Sequence, residues 1–484
     1  MRIHSLKYNA FMNMILMSSS FIFPLITVPY VSRILSPSGM GAVAFAQSVV
    51  SYFSLFSLLG ISTYGVRACA QVRDNKVELS KTVEELLVIL VISTFVVYCI
   101  YLAVLNFIPR FSSEKKLFLF FGSMLWLTSI GVEWFYQAIE QYDYITIRSI
   151  LFKIIGLFLM FMFVKETADY RIYGLIVVFG SCGANILNLL RLHSFVSFIP
   201  FSQLNLKRHL KPMKSFLVSS ISSGMYTQID LVLLGFLSSN GVVGIYQLVV
   251  KIKSMLLTAI NSVVNVMLPR LSYYAKNSQD KYRSLFIKNI NFVFLFSFSG
   301  IFYVLLCADA IIDILGGSQY TSAVMPLICI LPALLIVSLN TILSQYLISS
   351  GREKEYAFVN FIGLVFSIVF CLLLIPPFGA VGAAFSCSLC ELCALIVRCW
   401  FARAFIKGIV KDIKILPAPC AACVSFFIVF SIRQLWWPAN SFMKIIVSGV
   451  LFLIPYFCFL VIFREETVLG ILSKFCHLHE KNSF

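Results

Sequence analysis

Eight ionisable side chains interrupt stretches of sequence otherwise apolar enough to cross a bilayer: Arg33, Arg67, Arg148, Lys153, Lys251 and Lys253, with the acids Glu133 and Asp230. An ionisable group at mid-bilayer costs at least about 2.5–3.5 kcal/mol, so each needs a functional or structural reason to be there. The excess is positive. Such a set suits the binding of an anion along a path rather than the making of bonds. Arginine grips phosphate oxygens in a fork and lysine acts as a point charge. Lys251 stands about nine residues into its span, about 13 Å deep at 1.5 Å per residue, close to the midplane. Lys253 faces another side of the same helix, about 200° away, so at most one of the two points squarely into a given cavity. An internal salt bridge is the alternative for this pair, with Asp230 and Glu391 as available partners. Glu133 and Lys153 fall at similar depth on consecutive antiparallel spans, which predicts a Glu133–Lys153 pair. Glu133 and Asp230 are the acids placed to change protonation or ion occupancy in a cycle, unless they are fixed salt-bridge partners. Arg67 and Arg148 stand near span ends, where arginine commonly snorkels to the interface.

The elements that must position these groups are membrane helices. The chain has 484 residues, 60% hydrophobic and 12% charged, against about 25% charged in soluble domains. Apolar runs of about 20 residues, the length that spans a bilayer core, recur from end to end. The sequence therefore predicts an all-α polytopic membrane protein of 12–14 transmembrane helices, with fourteen candidate spans. A β-barrel would alternate in segments of about ten residues. Residues 23–47, FPLITVPYVSRILSPSGMGAVAFAQ, place Pro24 and Pro29 in the first span and Arg33 at its end. Membrane helices tolerate proline where neighbours or a hydrated cavity satisfy the freed carbonyls. The first helix thus reads either as bent beside a cavity with Arg33 at its mouth, or as kinked and packed with Arg33 snorkelling. The first apolar stretch is too long for a cleavable signal peptide and lacks a small-x-small cleavage site.

The net charge of +17 does not point to nucleic acid, because the basic residues sit in short loops between spans. Lysine and arginine crowd alternate loops, including Arg67–Lys81, Arg191–Lys214, Arg270–Lys288 and Arg398–Lys414, and are sparse in the others. By the positive-inside rule these loops and the N-terminus face the cytoplasm. Cys387, Cys390, Cys393 and Cys399 resemble metal-ligand spacing, but they lie in one apolar helix without histidine and read as small packing residues, as do Cys420 and Cys423. Cys476, His477 and His479 form a weak tail cluster. No glycine-rich phosphate loop or nucleotide signature occurs, and no metal or cofactor is expected.

The chain also repeats itself. YITIRSILFKIIGLFLMF from Tyr144 lies over YAFVNFIGLVFSIVFCLL from Tyr356, setting Glu133 on Gln345, Arg148 on Asn360 and Lys153 on Val365. Gly41 before the second span matches Gly244 before the eighth. Spans 1–6 and 7–12 thus read as two parallel copies, a transporter pattern with the site between halves. The expected domains are 1–210, 211–403 and a remainder, 404–484, holding two further helices and a cytoplasmic tail.

FPLITVPYVSRILSPSGMGAVAFAQSVVSYFSLFSLLGISTYGVR resembles the opening of the Wzx-type O-antigen flippases, polysaccharide-export members of the multidrug/oligosaccharidyl-lipid/polysaccharide exporter superfamily. GVEWFYQAIEQYDYITIRS, QIDLVLLGFLSSNGVVGIYQLVVKIK, VMLPRLS and IPPFGAVGAAFS resemble later family segments in the same order, so that the likeness spans roughly residues 8–400. The resemblance implies two six-helix lobes around a central cavity. It also implies a non-enzymatic flippase of the bacterial inner membrane. The implied substrate is an undecaprenyl-diphosphate-linked oligosaccharide, with membrane lipids and other polysaccharide assembly proteins as further partners. Family members commonly have 12 spans, so the last two have no assigned role. A lipid II flippase and a multidrug antiporter are the rival readings; the antiporter would favour an acidic cavity. A polymerase would need a large outside loop, and the longest here is about Ala308 to Ser322.

Overall fold

The structure, a computed structural model, describes residues 6–197, 199–435, 437–463, 465 and 469. The tail cluster Cys476, His477 and His479 lies outside them. The described residues form helices and connecting turns, with no strand among them. They group into two compact units, Met1–Gln247 and Leu248–Phe484, the boundary falling inside one helix.

The first unit holds α1 (Leu6–Ile34), α2 (Pro37–Leu58), α3 (Ile61–Val72), α4 (Lys76–Phe107), α5 (Pro109–Ser112), α6 (Lys115–Ile130), α7 (Glu133–Ala138), α8 (Tyr142–Phe163), α9 (Tyr170–Val178), α10 (Ala184–Leu192), α11 (Lys207–Leu237) and the start of α12 (Asn240–Val266). Pro24 and Pro29 lie inside α1, which continues through both. Ser36 caps α2 by accepting from the Gly39 amide at 3.2 Å, and Pro37, whose missing N–H costs nothing there, opens the helix. The second span breaks at Leu59 and Gly60, both left-handed, with φ of 49° and 75°. Glycine is required at the second position, because a Cβ there would strike the Phe216–Leu217 backbone of α11. The two repeat-matched glycines meet as well. A Cβ on Gly41 would strike the Asn240 carbonyl, and one on Gly244 the Pro37 carbonyl, so α2 and α12 touch backbone to backbone. The apolar core of this unit gathers Ile61, Val83, Leu86, Leu90, Phe135 and Tyr136.

The second unit continues with α13 (Leu268–Asn277), α14 (Gln279–Gly316), α15 (Val324–Ile330), α16 (Pro332–Ser349), α17 (Glu353–Phe401), α18 (Arg403–Ile409), α19 (Pro417–Leu435) and α20 (Ser441–Ile462). Among the described residues, thirteen helices are long and apolar enough to span a membrane. One of them, α17, counts twice. Its backbone leaves helical geometry at Gly379, with φ 54° and ψ −123°, just past Pro376 and Pro377. Arg398 then reaches Asn360 and Arg352 reaches the Phe401 carbonyl, contacts possible only if the chain folds back. Counting α17 as a hairpin gives the fourteen spans read from the sequence. The segment Ala308 to Ser322, expected as a loop, is helical instead: α14 runs to Gly316 and a 3-10 turn covers Ser318–Ala323. Its apolar run of Ala310, Ile311, Ile312, Ile314 and Leu315 extends the helix. The last two helices pack on α14 around Ala421, Val429, Phe452 and Tyr456, and the Tyr456 hydroxyl donates to the Leu295 carbonyl at 2.7 Å.

Candidate functional site

In the first unit Glu133 and Arg148 meet at a break in the fourth span. Between α6 and α7 the chain turns at Val132, a β-branched residue held at φ 38°. A non-glycine residue there stores about 1–3 kcal/mol of strain and persists only if its surroundings fix it. They do so from α10. A Cβ on Gly131 would strike the Asn185 side chain, and Asn188 donates its amide to the Gly131 carbonyl at 2.5 Å. A π-helical stretch, Phe179–Gly183, sets the rotation of α10 just ahead of Asn185. The break aims Glu133 at Arg148. Arg148 Nη2 donates to Glu133 Oε2 at 2.6 Å and its Nη1 to Asn185 Oδ1 at 3.4 Å. Arg148 is buried, at 4% exposure, while the Glu133 side chain keeps 44%.

The expected Glu133–Lys153 pair therefore does not form. The backbone turn at Val132 hands Glu133 to Arg148, one turn nearer along α8. Lys153 faces α1 instead, donating to the Ser19 and Ser20 hydroxyls at 2.9 and 3.0 Å, with the Phe23 ring 5.9 Å away. Pro24 removes the amide that would bond the Ser20 carbonyl, so this lysine sits where α1 has spare hydrogen-bonding capacity. Arg33 is exposed in the last turn of α1, and Arg67 is exposed on α3. Asp230 is buried near the end of α11. It accepts from the Tyr246 hydroxyl and the Leu231 amide, so its partners are neutral.

In the second unit Lys251 is half-buried midway along α12, about 17 Å from the start of a helix about 40 Å long. Among the described residues its ammonium makes no ion pair and no side-chain hydrogen bond; its carbonyl accepts from Ser254 in the ordinary helical way. Neither Asp230 nor Glu391 serves it. Glu391 accepts from the Asn340 amide at 2.7 Å. Lys253 turns to the hairpin and donates to Cys387 Sγ at 3.3 Å, and Cys390 hydrogen-bonds the Cys387 carbonyl at 3.2 Å within the same helix.

Sequence reasoning passed over Arg398. Counted with the basic loop Arg398–Lys414, it is instead buried, at 4% exposure. Its Nη2 donates to Asn360 Oδ1 at 2.7 Å, and among the described residues its Nε and Nη1 have no hydrogen-bond partner. Arg148 aligns with Asn360, and each belongs to an arginine–asparagine pair, Arg148 with Asn185 and Asn360 with Arg398. Arg148 also keeps an unpartnered Nε. Each unit thus carries a buried guanidinium with donors to spare, suited to gripping an oxyanion and not to proton transfer.

A family model described as "Polysaccharide biosynthesis protein" matches residues 6–275. The putative O-antigen transporter of Escherichia coli strain K12 is 23% identical over 402 residues, which cover 81% of this chain and 97% of that protein. Among solved structures, the lipid II flippase MurJ in its inward closed conformation superimposes with a TM-score of 0.66 at 16% identity, covering 92% of this chain and 99% of that one. A multidrug resistance MATE family transporter of the MOP superfamily, inward-facing, does so with a TM-score of 0.62 at 14% identity, over 81% of this chain and 96% of that one. At those identities the likeness is one of fold. The family match takes in more than half of the sequence, and the chain belongs to the polysaccharide biosynthesis protein family.

Proposed function

We propose that the chain is a flippase that moves an undecaprenyl-diphosphate-linked oligosaccharide from the cytoplasmic to the outer leaflet of a bacterial inner membrane. The observation that carries this reading is Lys251, a cation midway along a membrane helix whose ammonium has, among the described residues, no ion-pair or hydrogen-bond partner. A fixed lysine at that depth without a counter-charge is costly, and an anion that visits during a cycle offsets the cost. The diphosphate is such an anion. A diphosphate and its sugars would otherwise lose their hydration in hydrocarbon, a prohibitive cost. Arg33, Arg67, Arg148, Lys153 and Lys253 extend the cationic path, and Arg398 joins it. The lobes are residues 1–210 and 211–403, alternating access rocks one against the other, and the polyprenyl tail stays in lipid. The distribution of lysine and arginine supports a cytoplasmic N-terminus. The chain makes no bond and consumes no nucleotide.

Of the two acids, Asp230 is the better coupling group. Its partners are a hydroxyl and an amide, so protonation breaks no ion pair, whereas protonating Glu133 breaks its bridge to Arg148. The multidrug antiporter reading fits less well, since basic side chains outnumber acidic ones within the spans.

The test is complementation. Deletion should abolish surface polysaccharide, and the intact chain should restore it. Lys251→Ala at normal membrane abundance should fail to restore it, and Lys251→Arg should restore part. Full restoration by Lys251→Ala would overturn the assignment.

A further inference from the structure

A groove of 730 Å³ lies in the first unit between α2, α4 and the start of α11, walled by Phe53, Phe56, Ile92, Val96 and Ile100. Several of these side chains are exposed, so the groove opens along the lipid-facing surface. Its single polar lining residue, Ser93, spends its hydroxyl on the Ser57 carbonyl at 2.9 Å. Water entering would find no partner, and hydrocarbon is the natural filling. One end is closed by Leu206 and Leu210.

At that end the cations of α11 divide into two sets. Arg208 and His209 turn inward onto Glu85, which is fully buried, at 2.6 and 2.8 Å. Lys207, Lys211 and Lys214 are exposed, and among the described residues none of their side chains makes an ion pair or hydrogen bond. Lys214 continues the Leu206–Leu210 stripe by one helical turn. Helical side chains lean toward the N-terminus, which carries its ammonium back toward the leucines. An apolar slot ending at three unneutralised ammoniums matches one kind of molecule, an amphiphile with an anionic head.

We propose that this groove is a binding site for an anionic phospholipid, its acyl chains lying along Phe56, Ile92 and Val96 and its phosphate held by Lys207, Lys211 and Lys214. The groove is open to the bilayer along its length and its ammoniums are at exposed positions, so the abundant lipid of the surrounding leaflet is the occupant. The site is independent of the transport reading. It also bears on the second span, because Leu59, the first residue of the α2–α3 break, forms part of the wall.

The test is native mass spectrometry of the purified full chain titrated with phosphatidylglycerol and, separately, with phosphatidylcholine. Phosphatidylglycerol should bind more tightly. Lys207→Ser, Lys211→Ser and Lys214→Ser together should weaken it by about 10- to 100-fold while leaving phosphatidylcholine unchanged. The corresponding triple arginine variant should retain binding, which separates lost charge from lost fold. Val96→Trp, which fills the groove, should weaken both lipids. Equal binding of the two lipids, or an unchanged affinity for phosphatidylglycerol in the triple serine variant, would overturn the proposal. Displacement of phosphatidylglycerol by equimolar undecaprenyl phosphate would overturn it in favour of an isoprenoid occupant.

Discussion

Arg398 keeps a charge inside the second unit on one acceptor, the Asn360 Oδ1 at 2.7 Å. Replacing Asn360 with leucine removes that acceptor and strands the guanidinium, whose Nε and Nη1 already lack partners among the described residues. A hydrogen bond to a charged group is worth about 1.5–3 kcal/mol, and a buried charge left uncompensated moves the cost toward 3–5 kcal/mol. At about 1.4 kcal/mol per tenfold, the lower range alone shifts the folded-to-unfolded ratio by roughly 10- to 150-fold. Arg398→Met should behave differently. It removes the charge and substitutes a flexible apolar chain of similar length, so what it leaves is a neutral amide oxygen without this donor, at about 1–3 kcal/mol, a smaller cost than a stranded charge. The double variant should recover most of what Asn360→Leu loses, with a coupling energy above about 1 kcal/mol. The assay is unfolding of the purified protein in mixed micelles by added ionic detergent, read as the midpoint for wild type, both single variants and the double. Equal destabilisation by Arg398→Met and Asn360→Leu, or no recovery in the double, would refute the reasoning. Arg398→Met should in addition be stable yet poor in polysaccharide export, because the spare donors go with it.

Three further outcomes follow from the geometry. Gly41→Ala and Gly244→Ala should each lower folded yield in membranes more than Gly300→Ala, because the new methyl meets backbone at the first two and nothing within 4 Å at the third; equal yields would show that α2 and α12 separate freely. Glu133→Gln should cost about 1–2 kcal/mol of stability in the same micelle assay, less than a fully buried pair because the carboxylate is 44% exposed, while Arg148→Met should cost less still; the reverse order would contradict the bridge. A single cysteine at position 211, in a background free of other cysteines, should resist an impermeant thiol reagent added outside intact cells and react after permeabilisation; labelling from outside would invert the topology. Position 209 is unsuitable for this, since His209 is buried against Glu85 and Tyr64.

What the sequence made legible follows from periodicity and length. Fourteen apolar runs gave fourteen spans, and the gap between the eleventh and twelfth runs falls where the backbone turns at Gly379, just past Pro376 and Pro377. Lys251 was legible because its depth depends only on counting residues along α12. Pairing was not. The partner of Glu133 is decided by a left-handed turn at Val132, a residue type that rarely adopts one, and nothing in the local sequence announces it. Arg398 was hidden by position, since a basic residue at a span end normally reaches the interface. The buried Glu85 escaped notice for a related reason. It lies in a polar helix start, yet the Asn205 amide, Arg208 and His209 fold back over it and exclude water.

The central claim is that this chain carries a lipid-linked anion across a membrane through a cationic path that includes Lys251. The most direct measurement is flipping in proteoliposomes that contain the purified protein and a fluorescent undecaprenyl-diphosphate-linked oligosaccharide, scored by the fraction of label reached by an external quencher over time. The account predicts that the wild-type chain brings inner-leaflet label to the outer leaflet, that Lys251→Ala reconstituted at equal density does not, and that Lys251→Arg retains part of the rate. Label that stays as protected with wild-type protein as in empty liposomes, or that moves equally fast with Lys251→Ala, would contradict it.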